Sequence, residues 1–339
     1  MRFHLEALVH RGSVLESRHV LHVALCNAGG GLLAQTEDPG LVTMYRSSAK
    51  PFQLLPLVER GHADRWGFRD EELAVMAASH TGSPYHLGLV RGILERIGIA
   101  PEQLACGYHD PEDPDSLAEI RSGGATRSPL YNNCSGKHAG LLALCRSEGW
   151  PVEGYFRPEH PLQQLLHRTV AETCGVAPGS IPTAVDGCSL VVYALPLFIM
   201  ARSYAALATA AGGTGADARS QALARIARAM TTFPRAVEGG KRVSTRLMET
   251  TRGRLLAKGG AEGLQLVALL ERGQGLAIKC VDGAQRAIGP AVVSVLEQLG
   301  MLSGEELEGL ADVRRTVLRN AADLEVGQIT ADLRVTALA

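Results

Sequence analysis

Two kinds of side chain in this sequence could make and break bonds: serines spaced three residues from a lysine, and cysteines spaced three residues from a lysine. Ser47-Ser-Ala-Lys50 is the first case. Residues three apart share a helix face, so a helix opening at Ser47 carries Lys50 one turn on, beside the hydroxyl. A serine hydroxyl is a poor nucleophile and needs a base. An amine taken out of water beside another cation can supply one, because its pKa falls from about 10.4 toward neutrality. The N–H groups of such a helix start would also face a developing oxyanion. The spacing alone is common by chance, so it acquires meaning only in company.

Lys258-Gly-Gly260 supplies company, ahead of an apolar segment Leu264–Leu270. A Ser-x-x-Lys followed far downstream by a Lys-x-Gly has the order found in penicillin-recognising serine enzymes. Gly259 and Gly260 would let backbone come close to a ligand; a plain turn with an exposed lysine is the alternative. The Ser-Asp-Asn element that usually lies between the two is missing. Ser79-His-Thr81, at the end of a predicted helix, stands where another site serine could enter.

The second case is Asn133-Cys-Ser-Gly-Lys137 with Asp186-Gly-Cys188. One helical turn would bring Cys134 and Lys137 together, and a neutral lysine amine can act as a metal ligand. Cysteines about fifty residues apart match no usual zinc spacing, and on the residues alone a buried turn with inert thiols explains them better. His138 is a further ligand or orienting group, or a packing residue at a helix start.

The cation usage supports reading these lysines as chemical groups. Of 34 basic residues only five are lysine: Lys50, Lys137, Lys241, Lys258 and Lys279. Arginine cannot lose its proton in a protein, whereas a buried lysine can. Lys50, Lys137 and Lys258 each lie in a Ser-, Cys- or Gly-bearing motif; Lys279 does not.

The elements that must position these groups follow from periodicity. Leu5–Val9, Arg18–Cys26 and Gly31–Gln35 are predicted strands, and a helix after Lys50 should be interrupted or kinked at Pro56. Asp70 opens a helical run to Ala78. Further helices are predicted at His138–Glu148, Pro161–Thr173 and Leu190–Ala211. Leu264–Leu270 and Leu276–Val281 form a hairpin. Ala284–Leu299 is a helix, Ser303-Gly-Glu-Glu306 a capping box, and Val326–Val335 a last strand. Strands at both ends with helices between them predict an α+β chain: one antiparallel sheet built from both chain ends, about residues 1–45 and 250–339, with an inserted helical lobe over about 46–249.

With 339 residues, 46% of them hydrophobic, and a net charge of −1, the chain has material for a large core and no electrostatic case for nucleic acid or an anionic membrane. The longest apolar stretch, Leu190–Met200, is too short to span a bilayer. Met1–His10 lacks the pattern of a secretory signal, and the seven cysteines read as thiols or ligands, so a cytoplasmic protein is expected.

Six blocks in order carry a resemblance: 8-LVHRGSVLES-17, 46-RSSAKPFQ-53, 78-ASHTG-82, 133-NCSGKHAG-140, 186-DGCSL-190 and 257-AKGGAEG-263. From about residue 7 to about 330 the chain resembles the asparaginase II family typified by rhizobial enzymes. That resemblance implies a serine-β-lactamase-like fold spanning 1–339 as a single domain, a homodimer, and hydrolysis of L-asparagine to aspartate and ammonia. It implies two Ser-Lys pairs, Ser47 with Lys50 and Ser79 with Lys258, and a zinc site of Cys134, Lys137 and Cys188 beside the substrate pocket. Arg46 and Asp186 flank these motifs and, from their charge, suit the substrate's carboxylate and ammonium. Tyr45 stands where the family places a proline, and His19 is followed by Val20 rather than Arg-Gly. A glutaminase, a β-lactamase-like serine hydrolase and a zinc-stabilised binding protein are the rival readings.

Overall fold

In a computed structural model, residues 1–36, 38–213 and 215–336 are described, and the chain divides into two compact units. The first comprises Met1–Ser48, Leu195–Thr209 and Arg246–Ala339. The chain opens with β1 (Arg2–Arg11), β2 (Val14–Asn27), β3 (Leu32–Gln35) and the short β4 (Val42–Met44). Strands β5 (Thr183–Val185) and β6 (Val191–Pro196) come mid-chain. β7 (Leu255–Gly260), β8 (Leu264–Leu269), β9 (Gln274–Cys280), β10 (Thr316–Arg319) and β11 (Glu325–Thr336) follow.

Among the described residues the first unit holds an eight-stranded sheet in the order β10-β11-β1-β3-β2-β9-β8-β7. Its register follows from side-chain alternation. Phe3, Leu5, Ala7 and Val9 fall at every second position of β1 and are buried. Slipping the strand by one residue would turn that set to the other face. β1 runs antiparallel to β11, with Leu5 opposite Leu333 and Val9 opposite Ile329. The two chain ends thus share one antiparallel-dominated sheet, and the α+β class expected from the sequence holds. Helix Leu197–Ala211 lies against β9: a Cβ at Gly275 would come 2.0 Å from the Ala201 carbonyl.

Two local expectations are corrected. Leu190–Ala211 is not one helix: β6 occupies Val191–Pro196, and the helix starts at Leu197. The β-branched and aromatic run Val191-Val-Tyr193 favours extended backbone, and Pro196 cannot donate within a helix. Lys258-Gly-Gly260 is not a turn ahead of a strand. It ends β7, paired antiparallel with β8 and with Lys258 opposite Leu266.

The second unit, Ala49–Ala194 with Ala210–Thr245, is mainly helical. Helix Lys50–Glu59 carries Pro51 in its first turn and runs on through Pro56 without interruption. Helix Asp70–Met76 is capped by Glu72, whose carboxylate accepts the Arg69 N–H at 2.9 Å. Helix Ser135–Glu148 packs on it where only glycine fits: a Cβ at Gly136 would stand 2.2 Å from the Val75 carbonyl oxygen. No helix among the described residues is long and apolar enough to cross a membrane.

Candidate functional site

The helical unit gathers most of the predicted chemistry into one buried cluster. Lys50 opens its helix and is 0% exposed. Its Nζ donates to Ser79 Oγ at 2.9 Å and to the Ala78 carbonyl. Ser79 lies just past the end of helix Asp70–Met76, its N–H held by the Val237 carbonyl at 2.8 Å. On its other side Lys50 meets the Cys134 thiol. The Lys50 amine is held below its usual pKa, first by burial and then by the charge of Lys137, with the cysteines opposing.

Cys134 and Lys137 come from the start of helix Ser135–Glu148, as their spacing predicted. The Cys134 N–H is fixed by Asn132 Oδ1 at 2.9 Å, and Lys137 Nζ donates to Cys188 Sγ at 3.0 Å. Cys134 also hydrogen-bonds Cys188, which splits the two thiols: Cys188 is drawn down to about 5, while Cys134 rises to about 12. Burial alone would lower the Lys137 pKa, but Cys188, Cys134 and Asp186 reverse the sign and keep it protonated. A thiolate–ammonium pair therefore sits at the centre of the cluster. Asp186 accepts the Gly187 N–H at 2.9 Å, and Cys188 Sγ lies 3.9 Å from its other oxygen.

His138 follows Lys137 in the same helix and is buried. Tyr155 Oη accepts the Ala105 N–H at 2.9 Å and lies 2.5 Å from His138 Nδ1. The imidazole Nε2 is buried and has no hydrogen-bond partner among the described residues. Burial, reinforced by Lys137, holds its pKa at about 3, so it is neutral at physiological pH.

Arg46, Ser47, Lys258, Gly259 and Gly260 belong to the sheet unit. Ser47 is half-buried in the 3-10 turn Arg46–Ala49, and among the described residues its hydroxyl has no hydrogen-bond partner. Arg46 has φ +48°, and Ser189, just after Cys188, has φ +72°. Non-glycine residues in this region cost about 1–3 kcal/mol each and concentrate at functional sites. Tyr45 anchors the turn from below, its hydroxyl 2.5 Å from Ser203 Oγ. Lys258 Nζ donates to the Gly259 carbonyl at 2.8 Å. The close approach that Gly260 permits is to Ser48: a Cβ there would lie 3.1 Å from Ser48 Oγ, which donates to the Lys258 carbonyl at 3.1 Å. Ser48, passed over between two motif residues, is the side chain that ties the Ser47 turn to β7.

The cysteine–lysine cluster offers two sulfurs and one nitrogen, a donor set that fits a zinc ion once Cys134 and Lys137 give up their protons to it. Tetrahedral zinc with Zn–S of about 2.3 Å and Zn–N of about 2.0–2.1 Å would separate sulfur and nitrogen by about 3.6 Å. The observed 3.0 Å leaves a small outward movement of Lys137 to be made.

A second group capable of ligation was invisible in the sequence. His19, Cys280 and Asp282 converge because β2 pairs with β9, with Leu21 opposite Cys280. Asp282 takes His19 Nδ1 at 2.6 Å and Cys280 Sγ at 2.9 Å, while Arg286 donates to His19 Nε2 at 3.0 Å. The three groups satisfy one another, and a guanidinium beside them opposes a further cation.

Several solved structures are similar to the chain at low identity. A β-lactamase from Mycobacterium bovis matches at 15% identity and TM-score 0.43, covering 83% of this chain and 95% of that one. Mglu in its glutamate form matches at 17% identity and TM-score 0.37, covering 83% of this chain and 61% of that one. No curated protein matches. The model of the L-asparaginase II family matches residues 7–331, nearly the whole length. The chain belongs to the L-asparaginase II family, and its reaction class is amide hydrolysis.

Proposed function

We propose that this protein hydrolyses the side-chain amide of L-asparagine to aspartate and ammonia through a lysine-activated serine. The observation that carries the reading is Lys50: wholly buried, its pKa lowered, and bonded to a serine hydroxyl rather than to a carboxylate. A lysine in that state can be the neutral base that a serine nucleophile needs. Ser47 supplies the attacking hydroxyl, half-buried and next in sequence to the strained Arg46. Its proton passes to Lys50. The amide nitrogen leaves as ammonia after protonation through the Ser79–Lys50 relay, with Lys258 as the second amine. Water then releases aspartate from the ester. Arg46 and Asp186 suit the substrate's carboxylate and ammonium.

The direct bond from Lys50 to Ser79 favours a second reading, in which Ser79 attacks. Acid-quenched turnover followed by peptide mass mapping separates the two. The expected result is an ester on Ser47 in the native chain, its disappearance in Ser47→Ala, and at least about 10³-fold loss of kcat in that variant. An ester on Ser79 that survives in Ser47→Ala establishes the second reading, and undiminished turnover of both Ser47→Ala and Ser79→Ala sinks the serine mechanism. Ammonia release measured side by side should favour asparagine over glutamine by about 10–200-fold, the usual worth of one methylene, with a chromogenic β-lactam untouched.

Zinc, held by Cys134, Lys137 and Cys188, belongs to this reading. When bound it would supply a fixed positive charge that helps shape the substrate pocket, since thiolate ligands weaken a Lewis acid. Metal analysis after dialysis should find about one equivalent in the native chain, and Cys188→Ser should weaken zinc binding at least about tenfold. A homodimer is proposed with it, and sedimentation measures that directly.

A further inference from the structure

The helical unit contains a second cavity that none of this chemistry uses. It encloses about 580 Å³, within the range of small-molecule sites, and is bounded by Thr81, by the start of helix Pro84–Ile97, by Glu112–Pro114 and by the loop Gly239–Arg242. The loop is shaped to leave this space. Gly239 and Gly240 have φ +79° and +58°, and a Cβ at Gly239 would stand 2.7 Å from His86 Cε1. Backbone is folded directly over the imidazole, and a side chain there would disrupt the wall.

The charges around the cavity do not cancel. Arg242 is paired with Glu112, and Asp113 caps helix Pro114–Arg121 by accepting the Ser116 N–H at 3.0 Å. Three cations against the two carboxylates Glu112 and Asp113 leave one net positive charge, and two of the cations form no ion pair among the described residues. Arg235 rests its guanidinium 5.8 Å from the Tyr85 ring centroid and, among the described residues, has no carboxylate partner. Lys241 is exposed and forms no ion pair among them. His86 contributes no charge: its Nε2–H goes to the Arg235 carbonyl at 2.8 Å, its Nδ1 takes the Ser83 hydroxyl at 2.7 Å, and burial lowers its pKa.

The walls of this cavity also hold Ser79. The Ser79 N–H donates to the Val237 carbonyl at 2.8 Å, two residues before Gly239. The same strand of chain continues through His80, whose Nδ1 accepts the Gly82 N–H at 3.1 Å, to Thr81, whose carbonyl accepts the Asp113 N–H at 3.0 Å. Anything that draws Arg235 and Lys241 inward therefore pulls on both segments that fix Ser79.

We propose that this cavity binds a small dicarboxylate through Arg235 and Lys241, and that its occupancy is felt at Ser79. Two cations without ion pairs on the walls of one half-open cavity suit two separated carboxylates better than one compact anion. The binding claim stands alone, while its effect on catalysis rests on the function proposed above. If asparagine is the substrate, the product aspartate belongs to the ligand class, and the cavity would sense product.

The test titrates succinate, L-aspartate and inorganic phosphate calorimetrically into the native full-length chain, into Lys50→Met, and into the double variant Arg235→Gln/Lys241→Gln. Succinate should bind the native chain and Lys50→Met alike, more tightly than phosphate does, and at least tenfold more weakly to the double variant. Turnover by the double variant without added anion should stay within twofold of native, while succinate should alter kcat or KM of the native chain only. Equal succinate binding by native and double variant overturns the site. Phosphate binding as tight as succinate overturns the ligand class. A chain that binds succinate in this pattern yet releases no ammonia from asparagine overturns the proposed substrate and leaves the site standing.

Discussion

Lys50→Arg should reduce kcat at least about 10³-fold, equivalent to about 4 kcal/mol of transition-state stabilisation, while the chain still folds. The substitution keeps a cation and removes the one thing a lysine can do here. A guanidinium does not deprotonate in proteins, so no neutral base remains to take a serine proton. It is also bulkier, in a position with no exposure and two occupied hydrogen-bond directions, toward Ser79 and the Ala78 carbonyl. Lys50→Met serves as the control for size and charge: it should lose activity to the same extent and keep the native circular dichroism spectrum. The pH dependence follows from the same residue. Burial holds its folded pKa below 10.5, and the neutral amine is the active form. The native kcat/KM should therefore rise with pH through that lowered pKa and level off above it. A native profile that falls with pH over this limb, or Lys50→Arg turning over at more than a tenth of the native rate, would remove Lys50 from the mechanism.

Gly136→Ala should be the most damaging of the helix glycine substitutions. Alanine is the better helix former by about 1 kcal/mol, so an unconstrained site would gain stability. At Gly136 the new methyl would meet backbone, 2.2 Å from the Val75 oxygen and 2.9 Å from its carbon, and backbone cannot rotate away. Overpacking of this kind costs about 1–3 kcal/mol, and here helix Ser135–Glu148 must move off helix Asp70–Met76 to relieve it. Urea unfolding should show a net loss of about 2 kcal/mol. Since Cys134 and Lys137 ride on the start of the displaced helix, zinc affinity should fall with stability. Gly88→Ala and Gly92→Ala, in helix Pro84–Ile97 with nothing within 4 Å of either Cβ, should be neutral or stabilising. Equal midpoints for Gly136→Ala and Gly88→Ala would refute the packing account.

Both predictions turn on where two helices deliver their first residues, and the sequence reveals only part of that. Lys50 and Lys137 were recognisable as chemical groups because the chain otherwise spends arginine on its cations. Cys134 and Lys137 were legible as neighbours because their spacing matches a helical turn, and a turn is a local fact. The alternation of Phe3, Leu5, Ala7 and Val9 likewise carries β1 and its buried face. The interruption weighed at Pro56 and the single helix predicted over Leu190–Ala211 did not appear, for different reasons. Packing carries helix Lys50–Glu59, buried along nearly its whole length, past Pro56, whereas at Val191-Val-Tyr193 the local preference for extended backbone won, in a strand buried through Leu195.

What the amino-acid order determined by itself, then, is the class of chemistry: hydroxyls, amines and thiols at turn spacing, in a chain with strands at both ends. Tertiary structure alone decided the partners. Lys50 meets Ser79, 29 residues away; Cys188 lies on Lys137, 51 residues away; and His19 finds Asp282 across 263. Contacts within one turn follow from the fixed geometry of the backbone. Contacts between elements depend on strand register and on which glycine lets two helices touch, and those are settled by the packing of the whole core.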